Sequence, residues 1–210
     1  MIFKYDSPIM QFMNRFSSLV VLNLLFLCTS IPIFTIGASL AALYDVVFRL
    51  DTPREGKTAA SYFHAFRTNF RQSTPMGLFF LLLMGTSCAN AVIFSNKGTA
   101  MGLVLSVFSI LLLINGILVM GYVFPLISQF DNTFCKTLTN ALLLAIANLP
   151  RTLLAAVINC FPWMLMLMNF YAFIQLGFLW LVLYFAAAAY FNSRVLMKVF
   201  EPLREKRSSN

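Results

Sequence analysis

Charge is what this sequence has least of. Asp, Glu, Lys and Arg make up 10% of its 210 residues, and only seven of them are acidic. A soluble domain carries about 25% charged residues, so there is too little polar surface here to cover a water-soluble globule. There is one histidine, His64, and no Cys-x-x-Cys pair among Cys28, Cys88, Cys135 and Cys160. Scattered cysteines, three of them in apolar runs, argue against a disulfide framework or a zinc site. A single His without a Cys or carboxylate cluster makes neither a metal centre nor a catalytic pair. Gly-x-Ser-x-Gly, His-Glu-x-x-His and phosphate-loop patterns are absent from the sequence. The expectation is a chain that is not an enzyme and uses no cofactor or metal.

Long uncharged runs are what the chain has instead. Phe16–Tyr44 is uncharged for 29 residues, Gln72–Asn96 for 25, Gly98–Phe130 for 33 and Thr152–Ser193 for 42. About 20 apolar residues cross a bilayer core of about 30 Å, so the 42-residue run must hold two crossings, turning near Asn169. The expected fold is all-α and polytopic, a single membrane domain with spans over about 17–44, 74–96, 99–127, 152–168 and 171–193. The first run is too long for a signal-peptide core and further spans follow it, so the chain reads as membrane-embedded rather than secreted. Met1–Arg15 reads as an amphipathic lead-in with a helix start at Ser7-Pro8, and Arg194–Asn210 as a charged, fraying tail.

Two shorter tracts have helical periodicity without enough apolar length to cross. In 58–72, Tyr62, Phe63, Phe66 and Phe70 share one face, with Arg67 and Arg71 on its flank and Asn69 and His64 beside them. In 137–149, Leu138, Ala141, Leu142, Ala145 and Leu149 repeat the pattern before Pro150-Arg151. Both are expected to lie at the membrane surface, where Phe63, Phe66, Arg67, Asn69, Phe70, Arg71, Asn148, Pro150 and Arg151 are candidates for contact with lipid or a partner. The segments 44–73 and 122–152 form a weak repeat at an offset near 79, with Asn69 and Asn148 in register. Asp51-Thr52-Pro53 with Gly56, and Lys97-Gly98, are turn signals.

The first run carries the candidate packing and hinge residues: Asn23, Pro32, Gly37 and Tyr44. Pro32 should bend or interrupt the helix, and Gly37 with the small residues after it should let another span approach closely. Asp45 and Arg49, one turn apart, should pair at the membrane interface. Asn23, Asn90, Asn115, Asn159 and Gln175 are polar residues inside the spans, suited to interhelical hydrogen bonds. If the five spans alternate sides, twelve Lys and Arg share one side, that of 49–71, 136–151 and the tail, against Lys4, Arg15 and Lys97 on the other. The basic side is cytoplasmic, which predicts the N-terminus outside and the C-terminus inside.

The order Asn23-Leu24-Leu25, Pro32-Ile33-Phe34-Thr35-Ile36-Gly37-Ala38, Ala42-Leu43-Tyr44, together with Phe63-x-x-Phe66-Arg67-x-Asn69-Phe70-Arg71-Gln72, resembles the YesL-like family of small bacterial membrane proteins of unknown molecular function. Thr139-Asn140-Ala141 to Asn148-Leu149-Pro150 looks like the family's pattern too. The resemblance implies a multi-pass protein of the bacterial inner membrane. It also implies company with carbohydrate-uptake transporters and sensor kinases, and it brings no catalytic residues. Two functions follow as expectations. One is a non-catalytic accessory or regulatory protein bound to a membrane partner (a carbohydrate importer or sensor kinase) or to further copies of itself. The other is a small transporter of a polar solute. Neither involves nucleic acid.

Overall fold

A computed structural model describes residues 8–50, 58–96 and 98–208, with the side chains of 8, 9 and 201–208 outside the description. The protein is all-α, and no strand occurs among the described residues. Helix α1 (Pro8–Ser30) ends before a single turn of 3₁₀ helix at Ile33–Thr35. Then follow α2 (Ile36–Phe48), α3 (Thr58–Ser95), α4 (Ala100–Gln129), α5 (Phe134–Ala147) and α6 (Leu149–Met168). The chain closes with α7 (Phe170–Gln175), α8 (Gly177–Leu179), a π-helical turn at Trp180–Tyr184, and α9 (Phe185–Ser208). Among the described residues, five helical stretches are long and apolar enough to cross a membrane: Met10–Ser30, Thr58–Ser95, Ala100–Gln129, Leu149–Met168 and Gly177–Phe200.

Three expectations need correction. The first run is not one bent span. Its helix stops at Ser30 and the chain turns back, so that Ser39 Oγ reaches Thr29 Oγ1 at 2.9 Å. Ten residues of continuing helix would hold those positions about 15 Å apart. Second, the tract at 58–72 does not turn away from the span after it. Both belong to α3, whose 38 residues run through Pro75. At about 1.5 Å per residue that is roughly 57 Å, close to twice a bilayer core. Third, the tail stays helical to Ser208. Smaller differences are that α4 continues past Pro125 to Gln129 and that the last span is interrupted by α7, α8 and the π turn. The turn signals at 51–53 and 56, Lys97 and the first seven residues of the lead-in lie outside the described residues.

The direction of each helix follows from pairs of contacts. Ser18 Oγ lies 3.2 Å from Thr58 Oγ1, and Thr29 Oγ1 lies 2.7 Å from the Tyr62 hydroxyl. Helix α3 therefore starts beside the middle of α1 and runs the same way, while α2 brings the chain back between them. Helices α3 and α4 are antiparallel: Ser106 donates to the Ala91 carbonyl at 3.0 Å, and Gly116 faces Met84. Asn159 accepts from Asn192 at 2.8 Å, which sets α6 against α9. The Phe200 ring touches both Phe48 (6.1 Å between centroids) and Phe130 (5.8 Å). The ends of α2 and α4 and the late part of α9 thus share one end of the bundle.

The core sits on α2. All of its residues except Ile36 and Leu40 are buried, packed by α1, α3, α4 and α9. Ala38, Ala41 and Ala42 are fully enclosed, and Leu43, Val47 and Phe48 join Leu22, Tyr62, Phe80, Val123, Phe124 and Phe200 in one apolar cluster. Small residues at one face let four helices surround a fifth, as membrane helices that must pack without a hydrophobic driving force require.

Candidate functional site

The break between α1 and α2 is where the chain's polar chemistry concentrates. Proline has no N–H and pushes the residue before it out of the helical region. Helix α1 accordingly ends at Ser30, before Ile31, and Pro32 itself sits extended (φ −74°, ψ 114°). The groups freed by the break are met by Thr35, whose hydroxyl lies 2.6 Å from both the Thr29 and the Pro32 carbonyls and whose N–H donates to Pro32 at 2.9 Å. Thr29, Ser39 and Tyr62 then form a closed hydroxyl cluster, and the Tyr62 hydroxyl also lies 3.5 Å from the Ser39 carbonyl. Without water in a bilayer core, such internal partners are obligatory.

Gly37 meets Gly77 of α3. A Cβ on Gly37 would overlap the Ser73 carbonyl oxygen and stand 3.0 Å from Gly77 Cα, and a Cβ on Gly77 would stand 2.9 Å from Gly37 Cα. Two glycines face each other because backbone touches backbone. Tyr44 is buried further along α2. Asp45 and Arg49, one turn apart, form the expected ion pair at 2.5 Å: Asp45 is in the last turn of α2 with its side chain 8% exposed, and the Arg49 guanidinium reaches outward.

Asn23 is the candidate whose structural task the sequence did not reveal. It is fully buried and clamps the π turn: its amide donates to the carbonyls of Leu181 (2.8 Å) and Trp180 (3.3 Å), and its oxygen accepts from the Ala186 N–H at 2.9 Å. A π turn leaves backbone groups out of the regular ladder, and one amide with two donors and an acceptor fits that gap. The contact spans more than 150 positions along the chain, so no local pattern announces it. Beside it lies an apolar groove of about 410 Å³ lined by Leu27, Phe173, Ile174, Gly177, Trp180, Leu181 and Phe185.

The remaining candidates divide between two places. On α3, Phe63, Arg67, Phe70 and Arg71 are exposed, Phe66 and Asn69 are half-buried, and His64 is exposed. Asn148, Pro150 and Arg151 mark the break between α5 and α6. Pro150 cannot donate to the carbonyl four residues back, so the helix restarts at Leu149. The two halves of the weak repeat differ at this point. Ser73 donates to the Asn69 carbonyl (2.6 Å) and Thr152 to that of Asn148 (3.0 Å), but Arg71 stands where Pro150 stands, and only the second copy breaks. Of the polar residues inside spans, Asn23 and Asn159 are bonded across helices, whereas Asn90, Asn115 and Gln175 are exposed.

Residues 19–91, about a third of the chain, match the profile of a family described as "Protein of unknown function, DUF624". The stretch covers α2, most of α1 and most of α3, so the similarity falls on the broken helix and its packing partner. No curated protein and no solved structure matches the chain.

Proposed function

We propose that this chain is a non-catalytic membrane subunit that binds another membrane protein laterally through the α3–α4 hairpin. The observation that carries the reading is the pair Asn90 and Asn115. Both are exposed, with the exposed apolar residues Leu82, Ile93, Leu111 and Ile114 around them. In hydrocarbon an unmet amide costs on the order of several kcal/mol, whereas an amide bonded to a neighbouring span stabilises association by about 0.6–2 kcal/mol. Thr86 and Ile93, also exposed, lie four positions before and three after Asn90 on its face of α3. The resemblance of the Pro32 and Phe63 motifs to the YesL-like family makes a carbohydrate importer or its sensor kinase the partner class to test first.

The helix directions support a revised orientation. Because α1 and α3 run the same way, the N-terminus falls on the side of the 49–57 connection rather than opposite it. Of fifteen Lys and Arg, Lys97 alone then lies between α3 and α4 on the far side. That asymmetry is sharper than the one expected from simple alternation, and it supports a cytoplasmic place for both termini. Reporter fusions at the N-terminus and after Lys57, Lys97, Lys136 and Asn169 should read inside, inside, outside, inside, outside. An outside reading at the N-terminus restores the alternating arrangement.

A photo-crosslinking residue at position 90 or 115 tests the partner in native membranes. An adduct with one defined transporter or kinase supports the proposal, an adduct with a second copy replaces the partner by self-association, and adducts with lipid alone sink it. A buried carboxylate, Asp45, at one end of α2 and a helix break at the other favour the second reading, a transporter, since intramembrane carboxylates and interrupted helices mark solute sites. Solute uptake by the purified chain in liposomes, abolished in Asp45→Asn, would establish that reading instead.

A further inference from the structure

A cleft of about 330 Å³ opens between α6 and α9, lined by Arg151, Arg194, Lys198, Leu154 and Val195. Arg151 projects from the first turn of α6, and Arg194 and Lys198 stand on successive turns of α9. Two of the three cations are already oriented. Arg194 donates to the Tyr190 hydroxyl at 2.7 Å with its guanidinium 4.9 Å over that ring, and Arg151 reaches the Asn148 amide oxygen at 3.4 Å. Like charges at i and i+4 on a helix repel, and a third cation faces them from the neighbouring helix. Between Asp131 and Glu201 the sequence has no acidic residue. The cleft is a concentration of positive charge with an apolar floor, and from Leu154 that floor continues along α6 as the exposed stripe Val157 and Phe161.

We infer that this cleft binds the phosphate of an anionic phospholipid, with the headgroup on Arg151, Arg194 and Lys198 and an acyl chain along the α6 stripe. The guanidinium fork matches phosphate oxygens in pairs, and Lys supplies a point charge beside it. Basic clefts between spans on the cytoplasmic side are suited to such headgroups. A phosphate group alone would satisfy the cations but leave the Leu154–Val195 floor and the stripe uncovered. The lipid accounts for both halves of the site.

The test uses the full chain in neutral detergent, with thermal stability read as short-chain phosphatidylglycerol, phosphatidylcholine of the same chain length, or inorganic phosphate is titrated in. Phosphatidylglycerol should stabilise at concentrations about tenfold lower than phosphatidylcholine, the scale of one charged hydrogen bond. The Arg151→Gln/Arg194→Gln/Lys198→Gln variant should lose that preference, and Lys136→Gln, a single cation removed from α5, should keep it. Equal response to the two lipids, or an unchanged preference in the triple variant, overturns the inference. A cation-dependent response to phosphate matching that to phosphatidylglycerol replaces the headgroup by a free anion and overturns it as a lipid site. Should the triple variant fail to fold, Lys198→Gln takes its place. Its preference must be smaller than that of the wild type and must shrink in both proteins as salt is raised; otherwise the inference falls.

Discussion

Helix α2 and the α3–α4 hairpin are both apolar, and the protein uses them in opposite ways. α2 is rich in small residues, carries a carboxylate and is almost wholly enclosed. α4 is the most apolar of the candidate spans, yet its first half is largely exposed, as is the last part of α3. The buried positions of that outer hairpin are Ser87, Gly102, Ser106, Ser109 and Gly116, all small, while its Leu, Ile and Val point outward. In water the large apolar residues would be inside. Here the solvent is apolar as well, so hydropathy marks what faces lipid and small size marks what packs.

The sharpest way to break that comparison is to enlarge one glycine in each region. Gly37→Leu meets the backbone of Ser73 and Gly77, which cannot move aside as a flexible side chain could. Its cost should reach or exceed the top of the about 1–3 kcal/mol typical of overpacking. The expected result is a large fall in detergent thermal stability or loss of folded protein. A variant as stable as the wild type would remove α2 from the centre of the fold.

Next in size is Asn23→Leu. It leaves the Trp180 and Leu181 carbonyls and the Ala186 N–H without the partner they have now. A buried polar group left unmet costs about 1–3 kcal/mol, so a clear drop in melting temperature is expected, smaller than for Gly37→Leu. If Asn23→Leu is neutral, the π turn closes its own hydrogen bonds and the clamp is incidental.

Pro32→Ala should do less. Straightening α1 into α2 would pull Gly37 from Gly77, Ser39 from Thr29 and the Thr35 hydroxyl from two carbonyls. The turn is held by those contacts as well as by the proline. Losing the ring's restriction of the unfolded chain is worth about 0.4–1 kcal/mol. Melting should shift by that little, and Ser39→Cys with Thr29→Cys should still form a disulfide in the Pro32→Ala background. Failure of the crosslink there, when it forms with Pro32 in place, would show the proline alone turns the chain.

Much of this architecture is legible in the residues themselves. The uncharged runs mark the crossings, Pro32 marks an interruption, and Pro150 separates α5 from α6. What is not legible depends on contacts distant in sequence. Whether Pro32 bends a helix or reverses it depends on Thr35, Ser39 and Tyr62 finding Thr29, and nothing in 23–44 alone distinguishes the two. Pro75 looks as able to break a helix as Pro32, but α3 passes through it, consistent with the tolerance of membrane helices for proline where other groups compensate. The tract at 58–72 has the periodicity of a surface helix. Its Tyr62 faces inward because α1 and α2 offer hydroxyl partners there, and only the fold supplies those. Reversal of α1 into α2 also makes α1 and α3 run the same way, a relation that counting charges over presumed alternating spans cannot reach.

The smallest expected effect, Gly85→Leu, makes the comparison most exposed to refutation. Gly85 has the same residue type and a similarly apolar helix around it as Gly37, but a Cβ there meets nothing within 4 Å. The change should leave the stability of the isolated chain within about 0.5 kcal/mol, the usual range for surface substitutions. It adds apolar bulk to a face that already meets lipid, so no folded-state contact is lost. Gly85 is five positions before Asn90, about 140° around α3, so the added bulk points away from the face proposed for lateral association. Crosslinking from position 115 and the melting temperature should therefore both stay as they are. Asn90→Leu, which removes the amide itself, should lower crosslinking from position 115 without lowering the melting temperature. If Gly85→Leu lowers stability as much as Gly37→Leu, the hairpin is packed rather than exposed. If Asn90→Leu changes neither stability nor crosslinking, Asn90 and Asn115 face lipid without a partner and the lateral surface lies elsewhere.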